Sequence, residues 1–187
     1  GETVHDTVKV LERYCDAIVL RTFAQQQVEE VAEFASVPVI NALSDDWHPC
    51  QTLADLLTIE EHKGMLAGLR IAWVGDGNNV LNSLMCGAAV MGAHVVAACP
   101  KGFDPAADVV AHATAAAADS GGSVTLTRDP VEAVTGADVV VTDTWTSMGQ
   151  EEEHDRRLAA FAGFCVTDEL MAHAAEGALF MHCLPAH

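Results

Sequence analysis

The stretch IAWVGDGNNVLNSLM, residues 71–85, limits what this 187-residue chain can fold into more than any other part of it. Four apolar residues of strand type, Ile71, Ala72, Trp73 and Val74, stop at Gly75-Asp76-Gly77, and Leu81, Leu84, Met85 and Ala88 then recur on one helical face. Strand, tight turn and helix in that order form the opening of a βαβ unit. The same setting holds pyrophosphate in dinucleotide-binding folds, where a Gly-x-Gly-x-x-Gly loop brings backbone N–H groups and a helix N-terminus to the ligand. Two parts of that fingerprint are missing: Val80 stands at the third glycine, and the next strand runs into Cys99-Pro100 where an acidic residue would meet a ribose hydroxyl. The glycines read instead as a strand-to-helix turn that needs small residues. Asn78 and Asn79 either cap the helix or offer donors and acceptors to a small polar ligand.

The same alternation runs the length of the chain. Periodicity predicts helices at 6–13, 25–35 and 49–62, the last with Leu53, Leu56 and Leu57 at core spacing, and strands at 17–20 and 37–40. Further strands are predicted at 70–74, 94–98, 124–127, 137–141 and 178–181, with helices between them. The alanine-rich run 106–118 reads as one of those helices, close against a sheet, because alanine favours the helix. The expected fold is therefore α/β, with two parallel-sheet units and a Rossmann-like second one, divided near residues 63–68. Ligands in such folds sit beyond the carboxyl ends of the strands. The segments RTF, GDGNN, CPKG, DTWTSMG and HCLPAH stand at those ends here, and they gather most of the polar oddities of the sequence.

Composition excludes several classes. The chain is 50% hydrophobic and 19% charged, enough apolar material for a core and no sign of disorder. A net charge of −18, from 27 acidic against 9 basic residues, argues against nucleic acid, whose phosphates must be met by Lys and Arg. The longest apolar region is broken by Asn82, Gly92 and His94, and no basic-then-apolar leader opens the sequence, so neither membrane spanning nor secretion is expected. Six cysteines without a C-x-x-C pair read as buried, reduced thiols of a cytoplasmic protein. The start at Gly1 and the end just behind a strand suggest a piece of a longer protein.

Three strand-end segments carry chemistry. In SDDWHPCQTLADLL, Pro49 suits the first helical position, which makes His48 the N-cap and Gln51 the third helical residue. Both side chains either cap the helix, Gln51 completing a capping box, or join Arg21 around an anion and a carbonyl oxygen that gains negative charge. In VVVTDTWTSMGQEEE, Asp143 either solvates a turn or faces an ammonium in the crevice it shares with Asn79, while Ser147 and Met148 sit in the following loop. The three glutamates after it read as complements to a helix dipole. Cys183 in FMHCLPAH is open to reading as a nucleophile, a metal ligand with His182 and His187, or a buried thiol. Linear spacing disfavours the metal, and no basic partner is visible for a nucleophile, which leaves a thiol beside a ligand.

Together these strings resemble the ornithine carbamoyltransferases over the whole chain: RTF, HPCQTLADLLT, VGDGNNV, PKGF, TDTWTSMGQEEE and FMHCLP occur in the family's order and spacing. The resemblance implies transfer of a carbamoyl group from carbamoyl phosphate to the δ-amine of L-ornithine, giving L-citrulline and phosphate, without cofactor or metal. It implies that Arg21, His48 and Gln51 hold carbamoyl phosphate and that Asn79, Asp143, Ser147 and Met148 hold ornithine. Cys183 and Leu184 lie where the two substrates meet, and Arg21, His48 and Cys183 form the catalytic set. It assigns residues 1–63 to the later part of a carbamoyl-phosphate-binding domain with its linking helix, and 64–187 to an ornithine-binding domain lacking its closing helix. A Ser-Thr-Arg-Thr phosphate loop is expected before Gly1, and an arginine and closing helices after His187, so the chain by itself is expected to be inactive. The family's homotrimers imply a homotrimer or higher homo-oligomer. Aspartate, putrescine and N-acetylornithine carbamoyltransferases share the scaffold and remain alternatives, as does a non-catalytic remnant that only binds or oligomerises.

The acid excess is either ordinary acidity or a sign of a high-salt cytoplasm, where carboxylates keep a surface hydrated. The second case has a measurable consequence. Self-repulsion reaches furthest when the Debye length is about 30 Å, near 0.01 M salt, and collapses at molar salt. The melting temperature is then expected to climb from dilute buffer to molar KCl, whereas a flat profile in thermal melts would remove the high-salt reading.

Overall fold

Strand and helix alternate into two parallel sheets. In the computed structural model, which describes residues 1–145 and 154–186, β1 (Ile18–Arg21) pairs with β2 (Val39–Leu43). Helices α1 (Val4–Leu11) and α2 (Gln25–Phe34) pack on each other beside this pair. Helix α3 (Pro49–Lys63) leads out of the first unit and stops at Gly64, whose φ of +78° lets it cap the helix in the left-handed conformation. The second sheet has the order β5-β4-β3-β6-β7, all parallel, built from β3 (Arg70–Val74), β4 (His94–Ala98), β5 (Ser123–Thr127), β6 (Val139–Thr142) and β7 (Leu179–His182). Between them run α4 (Asn79–Val90), α5 (Ala107–Ser120), α6 (Pro130–Val134), α7 (His154–Phe161) and α8 (Asp168–Met171). The expected strands at 70–74 and 94–98 keep their bounds, and the bounds of the others shift by up to three residues, most in β2. Helices α6 and α8 are shorter than two turns, too short to leave a periodic signal.

Alternate residues of β3 face opposite layers, and both layers are dry. Ile71 and Trp73 pack with Leu81, Leu84 and Met85 of α4, while Ala72 and Val74 pack with Ala133 and Val134 of α6 and Leu170 of α8. A strand buried on both sides must be apolar at every position, which is why the central strands read as unbroken apolar runs. Trp73 is fully buried, and its indole N–H donates to the backbone oxygen of Asp76 at 3.1 Å, so the ring also fixes the turn behind the strand. The leucines expected in the core of α3 divide: Leu56 is buried with Ile59, but Leu53 and Leu57 are 67% and 56% exposed. The face of α3 turned inward carries Thr52 and Asp55 beside those two buried residues, so it is more polar than periodicity predicts. The cysteines differ as well, since Cys99 is buried but Cys50 and Cys165 are exposed.

Because β3 is followed by β4 on one side while β6 lies on its other side, the chain changes direction between the ends of β3 and β6. A crevice opens at such a switch point. The glycine turn sits there, and its second glycine answers to packing: a Cβ on Gly77 would lie 2.2 Å from Pro105 N and 2.3 Å from Asp104 C. Gly77 N also donates to Phe103 O at 2.9 Å. The space that a pyrophosphate would need over this glycine is filled by the backbone beyond β4. Gly77→Ala is therefore expected to destabilise the fold by about 3 kcal/mol or more, as overpacking against unyielding backbone does. Denaturant unfolding reads this directly.

Candidate active site

The ends of β1, β3, β6 and β7 and the start of α3 face a cleft of about 440 Å³, lined among others by Arg21, His48, Asn79, Asp143, Cys183 and Leu184. Six of the residues singled out in the sequence thus converge from both units. Gln51 lies one helical turn behind His48, and Ser147 and Met148 lie outside the described residues. The units are fastened at this point by three hydrogen bonds: His48 N to Ser83 Oγ at 2.7 Å, Asn79 Nδ2 to Ser44 O at 2.7 Å, and Asn82 Nδ2 to Asp46 O at 3.1 Å. The loop before α3 is held against the start of α4.

Neither His48 nor Gln51 caps α3. His48 is the N-cap residue but makes no side-chain capping bond, and Gln51 turns its Nε2 to Asp55 Oδ1 at 2.9 Å. The capping-box reading fails because Asp55, one turn further on, offers the amide a charged acceptor. Neither side chain therefore claims the first N–H groups of α3, one of which Pro49 lacks anyway. Burial holds the His48 imidazole below its ordinary value, the Arg21 guanidinium adds to this, and Asp143 opposes it. A neutral imidazole is a hydrogen-bond donor that brings no charge of its own. Its Nδ1 is buried and has no hydrogen-bond partner among the described residues. Arg21 is exposed at the end of β1, where the pairing register with β2 shifts.

Asp143, directly behind β6, does more than solvate a turn. Its Oδ2 accepts from Asn78 Nδ2 at 2.7 Å, and its Oδ1 accepts from Thr144 N at 2.6 Å and from the Cys183 thiol at 2.9 Å. Asn78 also caps α4, its Oδ1 accepting from the N–H groups of Val80 and Leu81. The two asparagines thus divide the roles left open in the sequence: Asn78 caps and braces Asp143, and Asn79 lines the cleft while tying the units together. Burial, and after it the bond to Asp143, pushes the Cys183 thiol far above its usual range. It is a protonated donor, which is opposite to what a thiolate nucleophile requires. Linear spacing leaves out a residue that the fold brings in: ligand atoms of Asp143, His182 and Cys183 lie within 4.8 Å of one another and could together hold a metal ion. Such binding would have to strip the Cys183 proton first.

Sequence reasoning passes over two buried acids. Asp55 is reached only through Gln51. Asp76, in the glycine turn, pairs with Arg157 of α7, which also donates to Trp145 O and lies over the rings of Phe103 and Phe161. The spacing of Gln51 and Asp55 by four residues was a visible signal; the Asp76–Arg157 pair, far apart in sequence, left none.

Residues 67–187 match the family described as aspartate/ornithine carbamoyltransferase, Asp/Orn binding domain, and residues 1–61 its carbamoyl-P binding domain. The ornithine carbamoyltransferase of Clavibacter sepedonicus is 59% identical over 99% of this chain and 61% of its own length. The solved ornithine carbamoyltransferase of Pyrococcus furiosus superposes with a TM-score of 0.96 at 52% identity, over all of this chain and 60% of the other. That of Gloeobacter violaceus gives 0.92 at 48%, over all of this chain and 62% of the other. The chain spans about 60% of the length of the relatives it matches. In sequence, in fold and in the strand ends that meet at the cleft, the chain belongs to the aspartate/ornithine carbamoyltransferase family.

Proposed function

We propose that the chain carries the two substrate sites of an ornithine carbamoyltransferase, which passes the carbamoyl group of carbamoyl phosphate to the δ-amine of L-ornithine and releases L-citrulline and phosphate. The observation that carries this reading is the meeting of Arg21, His48 and the uncapped start of α3 with Asn79, Asp143 and Cys183 around one cleft. The first group suits a phosphate and a carbonyl gaining negative charge, and the second suits an ammonium. Residues 1–63 serve the carbamoyl phosphate and residues 64–187 the ornithine. Arg21 and His48 polarise the carbamoyl carbonyl, Gln51 and Leu184 bound its amide end, and Asn79 and Asp143 hold the amino acid together with Ser147 and Met148. The neutral amine attacks the carbamoyl carbon, the new C–N bond replaces the C–O bond to the phosphate oxygen, and the departing phosphate takes up the proton that the amine gives up. No electron carrier is needed. The protonated Cys183 acts by holding Asp143 rather than by attack.

Aspartate as acceptor fits less well. Among the described residues of the cleft Arg21 is the one side chain with a fixed positive charge, and Asp45 and Asp143 already bring two carboxylates. The names of the relatives favour ornithine over putrescine or an acetylated acceptor. A cytoplasmic homotrimer or higher homo-oligomer belongs to the same reading. It is supported by exposed Leu53 and Leu57 on α3 and by the absence, among the described residues, of a helix long and apolar enough to cross a membrane.

Asp143→Asn in the active enzyme is expected to weaken ornithine use by about a hundredfold, as loss of a charged hydrogen bond worth about 1.5 to 3 kcal/mol with its neighbours disturbed would do, while leaving carbamoyl phosphate binding nearly intact. Steady-state kinetics with each substrate varied checks this, and equal loss of both would remove the assignment. His48→Ala is expected to lower kcat by roughly 10² to 10³, the usual effect of deleting one oxyanion donor.

The same imidazole sets a pH limit. Its folded value is depressed, so the neutral form is stabilised by folding, and stability present above about pH 6.5, the unperturbed histidine value, is lost as the pH falls through the lowered one. An NMR titration of the ring protons is expected to place His48 as the imidazole that stays neutral to lower pH than a free histidine.

A further inference from the structure

Asp55 is a buried acid that no step of the reaction uses. It is 7% exposed on the inner face of α3, and among the described residues its one side-chain hydrogen bond comes from Gln51 Nε2 at 2.9 Å. The other buried carboxylate, Asp76, has a guanidinium beside it, whereas Asp55 has no cation in contact among the described residues. A desolvated carboxylate without a counter-ion is costly to keep, and burial raises its proton affinity accordingly. Its surroundings place it behind the reacting groups: the helix that carries it presents His48 to the cleft, and its charge is felt by the Cys183 thiol on the cleft wall.

A carboxamide is nearly symmetrical in shape, so only its neighbours decide which end is oxygen and which is nitrogen. A carboxylate accepts and does not donate. Beside Asp55 the Gln51 amide has one favourable orientation, with NH2 toward the acid and Oε1 away from it. That Oε1 accepts no hydrogen bond from any described residue and is not a buried orphan, so it is left accessible on a half-buried residue one turn from His48, which lines the cleft. We infer that Asp55 is a positioning residue that locks the Gln51 carboxamide with its oxygen outward, as the acceptor for the NH2 of the carbamoyl group, and so selects carbamoyl phosphate over acyl phosphates that carry no such donor. The inference rests on the reading of Gln51 as a carbamoyl phosphate group. With the amide reversed, two acceptors would oppose each other at Asp55 and two donors at the carbamoyl NH2. The carboxylate also polarises the amide, which makes the outward oxygen a stronger acceptor.

The test compares Asp55→Asn, Asp55→Leu and Gln51→Ala in the active enzyme, with the dissociation constants of carbamoyl phosphate, acetyl phosphate and inorganic phosphate. Asparagine fills the same space and still pairs with Gln51, but accepts and donates alike, so packing survives while the preferred orientation does not. Leucine removes the pairing altogether and guards against a residual preference. Both are expected to weaken carbamoyl phosphate by about five- to tenfold, as the competent orientation loses its excess population and its polarisation. Acetyl phosphate and phosphate are expected to bind as before, and the melting temperature of Asp55→Asn not to fall. Wild-type selectivity in both Asp55 variants, with Gln51→Ala impaired, would overturn the role of Asp55 and leave the carbamoyl phosphate site standing. Equal loss for all three ligands together with a lower melting temperature would also overturn it, since that is what a purely structural acid gives. Unchanged binding in Gln51→Ala would overturn both the inference and the placing of Gln51 in the substrate site.

Discussion

Everything chemical in this chain depends on the fastening of the loop 44–48 to the start of α4. His48 N bonds to Ser83, Ser44 O accepts from Asn79, and Asp46 O accepts from Asn82, so the loop is joined to the first turns of the helix by groups that are themselves mostly half-buried or buried. Each such bond is worth about 1 kcal/mol net, but leaving a buried partner unpaired costs more, so the three act as one clamp rather than as a sum. The clamp sets the start of α3, which points at the cleft, against the switch point of the second sheet. On the proposed reading a phosphate at the first and an amine at the second are brought together by this geometry, and proximity is a large contribution that a scaffold can make to a transfer between two bound molecules.

The second sheet is braced from behind. Arg157 joins the turn after β3, through Asp76, to the backbone after β6, through Trp145. Burial still raises Asp76 above its ordinary carboxylate value, with the guanidinium opposing. Desolvation therefore outweighs the pairing, as is common for buried ion pairs, and the pair contributes definition more than stability. The aromatic faces of Phe103 and Phe161 on the guanidinium replace part of the lost hydration. What this holds in place is the approach of Asn78 to Asp143, 2.7 Å apart across the crevice.

Much of this was legible in the sequence for one physical reason. Parallel strands buried on both sides are unbroken apolar runs, and the residues after them stand at the crevice, so Arg21, Asn79, Asp143 and Cys183 could be found by reading on from each run. Directions within that frame were not legible. Periodicity puts Leu53, Leu56 and Leu57 on adjoining positions of one helix but does not say where a neighbour stops covering it, and only Leu56 is covered. Successive residues of a helix start point about 100° apart, so which of Asn78 and Asn79 meets Asp143 depends on the sheet, not on the pair. Side chains with several partners are decided by the strongest one, and for Gln51 that is Asp55 rather than the helix end.

Charge obeys the same precedence of local over global. On the proposed reading, a chain of net charge −18 binds an acyl phosphate against its own long-range field. Salt screens that field beyond about 8 Å at physiological ionic strength, and only groups within that distance decide binding. At the cleft these groups are Arg21, a helix start that its N-cap side chain does not cap, and an imidazole kept neutral by burial. The acid of the second unit that lines the cleft, Asp143, is already engaged by three donors, Asn78, Thr144 and Cys183. Local donors oriented by the fold can therefore favour an anion on a surface that repels anions, and the thiol that would be a nucleophile elsewhere is one of the donors that makes this possible.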